Sequence, residues 1–484
     1  MSSWLQTRNL FAIILAMGLF VLAARNVTDP DVWWHLRTGQ LIIHNQRVFH
    51  ADPYSFTRAG QPWVNHEWLS QILIFGLYKV AGWGGLITGF AVVILAAFLL
   101  VFLRSPGRPY VAGAMTAWGA IASVPSWGVR PQVFTLLLAS VFLWLLERSY
   151  QRVKLLWWTP PLMLLWVNLH AGYAVGIALL AIFLAGDALD RAFGVREPDL
   201  TAARLRTLIL ALVACMAVVP LNPYGVAMYR YPLETLHSRA MLAYIGEWLS
   251  PDFHQGRYAA VLLMMLATIL LPAMSPRRLH ARELLLLAIT MYAALRSVRH
   301  IPIYVLVAAP LLGAMVQAKL QELGKAGLLD GHLPMTQAKF VVNALLLAGF
   351  LAFTVIRVGY VVGRQAQTEA REFPAAAVDF LKSTRPAAPM MNHYNWGGYF
   401  IWRLYPEYKV YIDGRADLYG DSLLDQFASV YYIKGQRWRT PLEEWDIQTV
   451  VLPPDAPLVT ALGALPGWQR IFSDRQAVVL TRTR

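Results

Sequence analysis

Residues 8–36 read RNLFAIILAMGLFVLAARNVTDPDVWWHL, an apolar run that ends in two carboxylates and an imidazole. The run from Leu10 to Ala24 carries no charge and, with its flanks, is long enough to cross or nearly cross a bilayer. No small-residue cleavage pattern separates it cleanly from Asn26, so it reads as a retained first membrane helix rather than a signal peptide. Asp29, Asp31 and His35 therefore stand at its exit, where charge beside hydrocarbon needs a reason.

The rest of the chain has the same character. Its 484 residues are 57% hydrophobic and 14% charged, with a mean hydropathy of +0.45, whereas soluble domains are about 25% charged. Apolar runs lie at about 8–25, 84–103, 110–126, 131–147, 154–169, 173–189, 206–221, 258–273, 282–297, 301–317 and 339–361, several of them short or broken by Pro and Gly. The expected fold is an all-α polytopic membrane bundle of about eleven helices over residues 1–364, which includes a long first outer loop, 26–82. Residues 365–484 have ordinary soluble composition and read as a small α/β domain. There, 373–382 and 423–432 have helical spacing, while 389–394, 409–412, 449–452, 470–473 and 477–481 read as strands.

A net charge of +14 raises the question of nucleic acid, but no basic run is interleaved with aromatics like a base-stacking groove, and no such partner is expected. Basic residues instead mark alternate connections. These hold Arg104 and Arg108; Arg148, Arg152 and Lys154; Arg191, Arg196, Arg204 and Arg206; Arg277, Arg278 and Arg282; and Lys319, Lys325 and Lys339. The positive-inside tendency makes them cytoplasmic together with the N-terminus, and turns the other connections and the carboxy-terminal domain outward. The single cysteine, Cys215, lies in an apolar run, which excludes a disulfide framework and cysteine-based metal sites.

Nearly every motif with possible chemistry falls on the outward side. Pro30 stiffens the turn between Asp29 and Asp31, so both carboxylates can be held toward one point. Such a pair either shares a divalent cation or splits into an ionised and a more protonated member, or it is simply a helix-terminating turn. Trp33 and Trp34 read as interfacial anchors, and His35 falls on the helical face of Asp31. His66 and Glu67 orient one another or contribute to a metal site, or cap the helix that follows. Their spacing is not HExxH, so a zinc protease is excluded. Asn168 and His170 at an outward helix end bridge two helices or face a substrate. Arg296, Arg299 and His300 sit on the outer side against the positive-inside trend, and cations there need an anionic partner. Guanidinium groups suit a lipid phosphate or diphosphate, with phospholipid headgroups as the plainer ligand. In the last domain, Asp413, Arg415 and Asp417 either form a charge network that holds a turn or line an acceptor groove. No Walker loop, Rossmann glycine pattern or nucleophile elbow is present, so neither a nucleotide nor an organic cofactor is expected.

This layout resembles the GT-C superfamily of membrane glycosyltransferases, which includes protein O-mannosyltransferases, aminoarabinose transferases and single-subunit oligosaccharyltransferases. The strings DPDVWWHLRTG, DPYSFT, HEWL, NLHAG, NWGGYFIW and DGRADLYG are similar to those of a group of bacterial membrane proteins assigned to GT-C. The resemblance implies transfer of a sugar from a polyprenyl-phosphate carrier to a glycan, lipid or protein acceptor at the outer face of the bacterial cytoplasmic membrane. It implies that Asp29 or Asp31 activates the acceptor, by inverting chemistry. Trp34, His35, His66, Glu67, Asn168 and His170 would then shape the substrate site, and Arg296, Arg299 and His300 would grip the carrier phosphate. Some relatives use a divalent cation, Mg or Mn, for which Asp29, Asp31 and Glu67 are the candidate ligands. The competing readings are a polytopic transporter or lipid-binding scaffold for envelope glycolipids, and a polyprenyl-diphosphate glycan ligase.

Overall fold

The computed structural model describes residues 5–107, 109–195, 200–325 and 336–483. Arg108 and Arg196 lie outside the described residues. The chain forms two compact units, one of Met1–Arg25, Ile87–Tyr229 and Gly246–Val362, the other of Asn26–Leu86, Arg230–Ile245 and Gly363–Arg484.

Among the described residues, six helices are long and apolar enough to cross a membrane: Trp68–Arg104, Tyr173–Ala192, Ala202–Leu221, Gly256–Met274, Val298–Glu322 and Gln337–Gly363. The apolar Thr7–Ala23 helix is shorter, at 17 residues. The runs expected near 110, 131, 154 and 282 fold as helices of 14, 17, 11 and 16 residues.

At the centre of the first unit is the Ile301–Glu322 helix, every residue of which from Ile301 to Pro310 is buried. It packs against Tyr110–Ser123, Ala259–Met274 and Ala281–Arg296, and its sequence explains why: it is uncharged until Lys319, and a helix apolar all round is a core helix. The Gln337–Gly363 helix is the opposite case. It exposes Val341, Leu345, Val355 and Ile356, a surface suited to hydrocarbon, while Asn343 Nδ2 ties it to the Leu5 carbonyl at 2.8 Å. One charged knot is buried in this unit, where Arg204 pairs with Asp187 at 3.0 Å and lies over the Tyr150 ring. Pairing offsets the desolvation of both ions.

A four-stranded sheet organises the second unit, with β1 Met390–Asn392, β2 Thr449–Leu452, β3 Trp468–Ser473 and β4 Val478–Arg482 in the order β1-β2-β4-β3. β1 and β2 are parallel and the other pairs antiparallel. The strand expected at 409–412 does not join this sheet. The buried Asn392 side chain supplies the partners a neighbouring strand would have given, accepting from the Tyr411 amide at 2.8 Å and donating to the Ile412 carbonyl at 2.8 Å. Val410 instead makes a single parallel bridge to Ser55 of the first loop. The helix expected from 423 begins at Ala416 and breaks at Gly420, whose φ is 67°.

Within the same unit, the Val32–Asn45 helix packs on the Gly397–Leu404 helix. This corrects the reading of Trp33 and Trp34 as interfacial anchors, since they are 1% and 6% exposed. Trp33 is enclosed edge-on by Trp83, Phe373 and Tyr399, with ring centroids 4.8 to 5.3 Å away. Their indoles belong to a protein core because residues far along the chain return to cover them, which no local pattern reveals.

Candidate active site

The Asp29–Asp31 segment is a turn closed by its own side chain, with Asp29 Oδ1 accepting from the Asp31 amide at 2.9 Å. Asp then Pro at these positions favours this local bond and fixes the backbone on entry to the helix. Asp31 is buried and accepts from the Trp34 indole N–H at 3.1 Å, so the two acids have different surroundings despite being two residues apart. Two glycine motifs of the carboxy-terminal segment pack on this turn. A Cβ on Gly414 would overlap Asp31 Oδ1, and one on Gly398 would come within 2.5 Å of the Pro30 carbonyl oxygen. The absent side chains let the DGRADLYG and NWGGYFIW segments approach the DPD turn at backbone distance.

Gly414 is held by a buried ionic network beneath it. The Arg415 guanidinium donates to Asp413 at 2.7 and 2.8 Å and to Asp52 at 2.7 Å. It lies 4.6 Å from the Trp63 ring centroid and 5.0 Å from that of Tyr54. Tyr419 donates its hydroxyl to Asp413 at 2.5 Å. Burial disfavours the charged guanidinium, but Asp413 and Asp52 outweigh that and raise the Arg415 pKa well above its ordinary value. This is the charge network the sequence offered as one reading of Asp413 and Arg415. Its third member is Asp52 of DPYSFT, while Asp417 faces elsewhere.

Asp417 is solvent-exposed and accepts a hydrogen bond from Tyr231 within electrostatic reach of His66 and Glu67. His66 Nε2 lies 3.3 Å from Glu67 Oε1, and His35 Nε2 lies 3.7 Å from Glu67 Oε2. The Tyr231 ring lies over His66 at 4.3 Å. Burial alone would lower the His66 pKa, but the Glu67 and Asp417 carboxylates turn the shift upward. The second unit thus brings His35, His66 and Glu67 together through one carboxylate, and places Asp29, Asp31 and Trp34 around one turn. Reasoning along the sequence missed Tyr231 and Asp52. Each lies in a segment remote in sequence from the Arg415 or His66 it serves, and a place in an outward loop, with the DPYSFT string for Asp52, was the hint of a role.

The first unit gathers the other candidates separately. His170 Nδ1 receives the Gly172 amide at 3.0 Å and lies 2.8 Å from Thr135 Oγ1, which itself accepts from the Trp166 indole. On the other side of the ring, His170 Nε2 is 3.3 Å from Arg299 Nη2. Arg299 also pairs with Glu247 at 3.2 Å and lies over the Trp248 ring at 5.0 Å, while Arg130 reaches Glu247 at 2.7 Å. Glu247 is the anionic partner that cations on this side require, and two guanidiniums on one carboxylate leave a positive excess. Arg296 is exposed, and His300 lies beside Trp248 at 6.2 Å. Asn168 serves the interhelical bridge, donating to the Leu164 carbonyl at 2.8 Å and accepting from Asn222 at 3.3 Å.

No protein-family profile matches the sequence, and no curated protein sequence matches it. Among solved structures, the archaeal oligosaccharyltransferase AglB from Archaeoglobus fulgidus, in complex with an inhibitory peptide and a dolichol-phosphate, superposes with a TM-score of 0.58 at 12% identity, over 93% of this chain and 70% of that one. The apo form of the Archaeoglobus fulgidus oligosaccharyltransferase gives 0.54 at 13% identity, over 93% and 70%. ArnT from Cupriavidus metallidurans bound to undecaprenyl phosphate gives 0.49 at 14% identity, over 99% of this chain and 98% of that one. These neighbours are GT-C superfamily members, and at such identities the likeness to AglB is one of fold. The chain shares the overall fold of the two oligosaccharyltransferase structures, as the resemblance in sequence led one to expect.

Proposed function

We propose that the protein is a membrane glycosyltransferase that moves a sugar from a polyprenyl-phosphate-linked donor to an acceptor at the outer face of the bacterial cytoplasmic membrane, with the N-terminus cytoplasmic and residues 365–484 outside. The observation that carries this reading is the buried Asp31 carboxylate, fixed by Trp34 and backed by Gly414, at the exit of the first apolar helix of an AglB-like fold. A carboxylate so fixed is suited to general-base work.

In the proposed reaction Asp31, or Asp29 beside it, takes the proton of the acceptor nucleophile as that atom attacks the anomeric carbon. The bond from that carbon to the phosphate oxygen breaks with its electron pair, polyprenyl phosphate departs, and the anomeric configuration inverts. A positioned base supplies a factor of roughly a hundred to ten thousand. Within the first unit, Arg299, with Arg130 sharing its counterion, and the exposed Arg296 are the cations suited to a lipid phosphate. Glu67 orients His35 and His66 toward the acceptor.

Asp29 and Asp31 offer the hard carboxylate oxygens that Mg or Mn prefers and would hold such an ion, whereas Glu67, the third candidate, lies against His35 and His66. Such an ion would neutralise charge on the leaving phosphate. The test uses protein purified into nanodiscs and supplied with polyprenyl-phosphate sugars, with mass spectrometry of lipid and acceptor products. Asp31→Asn and Asp29→Asn are then compared with wild type. Transfer at the wild-type rate by both variants would exclude this mechanism, and a chelator that leaves the rate unchanged would exclude the cation.

A further inference from the structure

One segment of the second unit comes from the middle of the chain. Residues 230–245 lie between two apolar helices, Ala202–Leu221 and Gly256–Met274, and carry Tyr231, whose ring covers His66 and whose hydroxyl donates to Asp417. A stretch of this length would lose much conformational entropy if held in one place, so its position needs an anchor. The anchor is on the Ala416–Tyr431 helix. Asp421 Oδ1 accepts from Ser238 Oγ at 2.6 Å and from the Ala240 amide at 3.2 Å, and Oδ2 accepts from the Arg239 amide at 3.1 Å. Those two amides open the short Arg239–Tyr244 helix and have no partner within it. Ser238 Oγ in turn accepts from the Met241 amide at 3.2 Å. At the far end of the segment, Tyr244 is hydrogen-bonded to Asp425 and lies 5.4 Å from Lys434 Nζ.

We propose that Asp421 is a positioning residue of the active site: by capping the Arg239–Tyr244 helix from outside it fastens residues 230–245 to the carboxy-terminal fold and so holds Tyr231 over His66. Tyr231 acts through its neighbours. Its ring fixes the plane of the imidazole, its hydroxyl fixes Asp417, and together they screen His66 from water on that side. The assignment deepens the glycosyltransferase reading, because it adds Tyr231 and Asp417 to the side chains that shape the substrate site. The requirement is geometric: a carboxamide at position 421 keeps one acceptor oxygen for Ser238 and the Ala240 amide but loses the acceptor for the Arg239 amide, so it retains the cap only in part.

The test measures the reactivity of His66 toward diethyl pyrocarbonate in the full-length detergent-purified protein, read residue by residue by mass spectrometry, with amide exchange over residues 228–246 measured in parallel. Loss of the cap in Asp421→Ala is expected to raise both His66 modification and exchange of the 230–244 amides by roughly 5- to 30-fold. Modification should approach that of Tyr231→Ala, while Asp421→Asn, which keeps one of the two acceptor oxygens, lies between wild type and the alanine variant. Unchanged His66 reactivity in Asp421→Ala overturns the assignment, and so does an Asp421→Asn protein as reactive as the alanine variant. Should Tyr231→Ala fail to fold, Tyr231→Leu serves as the reference for an unstacked His66. No sugar enters the measurement, so its failure is distinct from a failure of the glycosyltransferase reading.

Discussion

The backbone of Gly414 lies against the carboxylate of Asp31, 383 positions earlier in the chain, leaving no room for a Cβ between them. Two strings that looked like separate motifs, DPDVWWHL and DGRADLYG, are two sides of one contact. The second supplies a wall against which the first sets its acid.

Gly414→Ala puts a methyl group where Asp31 Oδ1 stands. Overpacking of this kind costs about 1–3 kcal/mol, and a misplacement of about 1 Å at a reacting group costs about a hundredfold in rate. We expect a modest fall in melting temperature and a fall of about two orders of magnitude in transfer. Thermal unfolding and the product assay on one preparation separate the two effects.

Arg415→Met leaves Asp413 and Asp52 without their shared cation in a site where Arg415 is 2% exposed. Removing one partner of a buried ion network costs about 3–5 kcal/mol. We expect a large loss of thermal stability in Arg415→Met and only partial recovery in Arg415→Lys, whose ammonium cannot reproduce the forked contacts. A melting temperature within experimental scatter of wild type for Arg415→Met would contradict the network's structural role.

The His66 pair gives stability a pH dependence of known sign. Burial opposes the imidazolium, but Glu67 and Asp417 leave the folded pKa above the ordinary 6.5. The native state therefore binds the proton more tightly than the unfolded chain. The contribution is fully present below pH 6.5 and is lost as pH rises through the raised folded value. The melting-temperature gap between wild type and His66→Gln should narrow as pH increases over that interval; a gap that widens is the contrary result.

Arg299→Ala removes a charge-assisted donor while Glu247 keeps Arg130 as its counterion. Such bonds are worth about 1.5–3 kcal/mol, so affinity for undecaprenyl phosphate should fall roughly 10- to 100-fold, as read by native mass spectrometry or calorimetry. Arg296→Ala, at an exposed position, should lower affinity less, and with a stronger salt dependence.

Much of the fold was legible without coordinates. Long uncharged stretches announce spans because an unpaired backbone cannot be left in hydrocarbon, and all four strands of the small sheet fall on segments whose residues read as strands. The 409–412 segment was not legible. Its apolar alternation is that of a strand, yet a buried Asn392 side chain had already taken its backbone groups. The same limit applied to Trp33, whose lipid-like neighbours in sequence gave no sign of Phe373 and Tyr399 closing over it.

The sequence by itself determined which residue types were available: acids after an apolar helix, arginines against the charge trend, glycines in two carboxy-terminal motifs. Periodicity and transfer free energy act over a few turns, and they carry that much. Only the tertiary structure decided the pairings, giving Asp31 to Gly414, Arg415 to Asp52, Arg299 to Glu247, and Tyr231 to His66. Each joins segments far apart in the chain, where what matters is how closely two backbones can approach and which buried charge finds a counterion. Those conditions are satisfied by packing in three dimensions and leave no local trace.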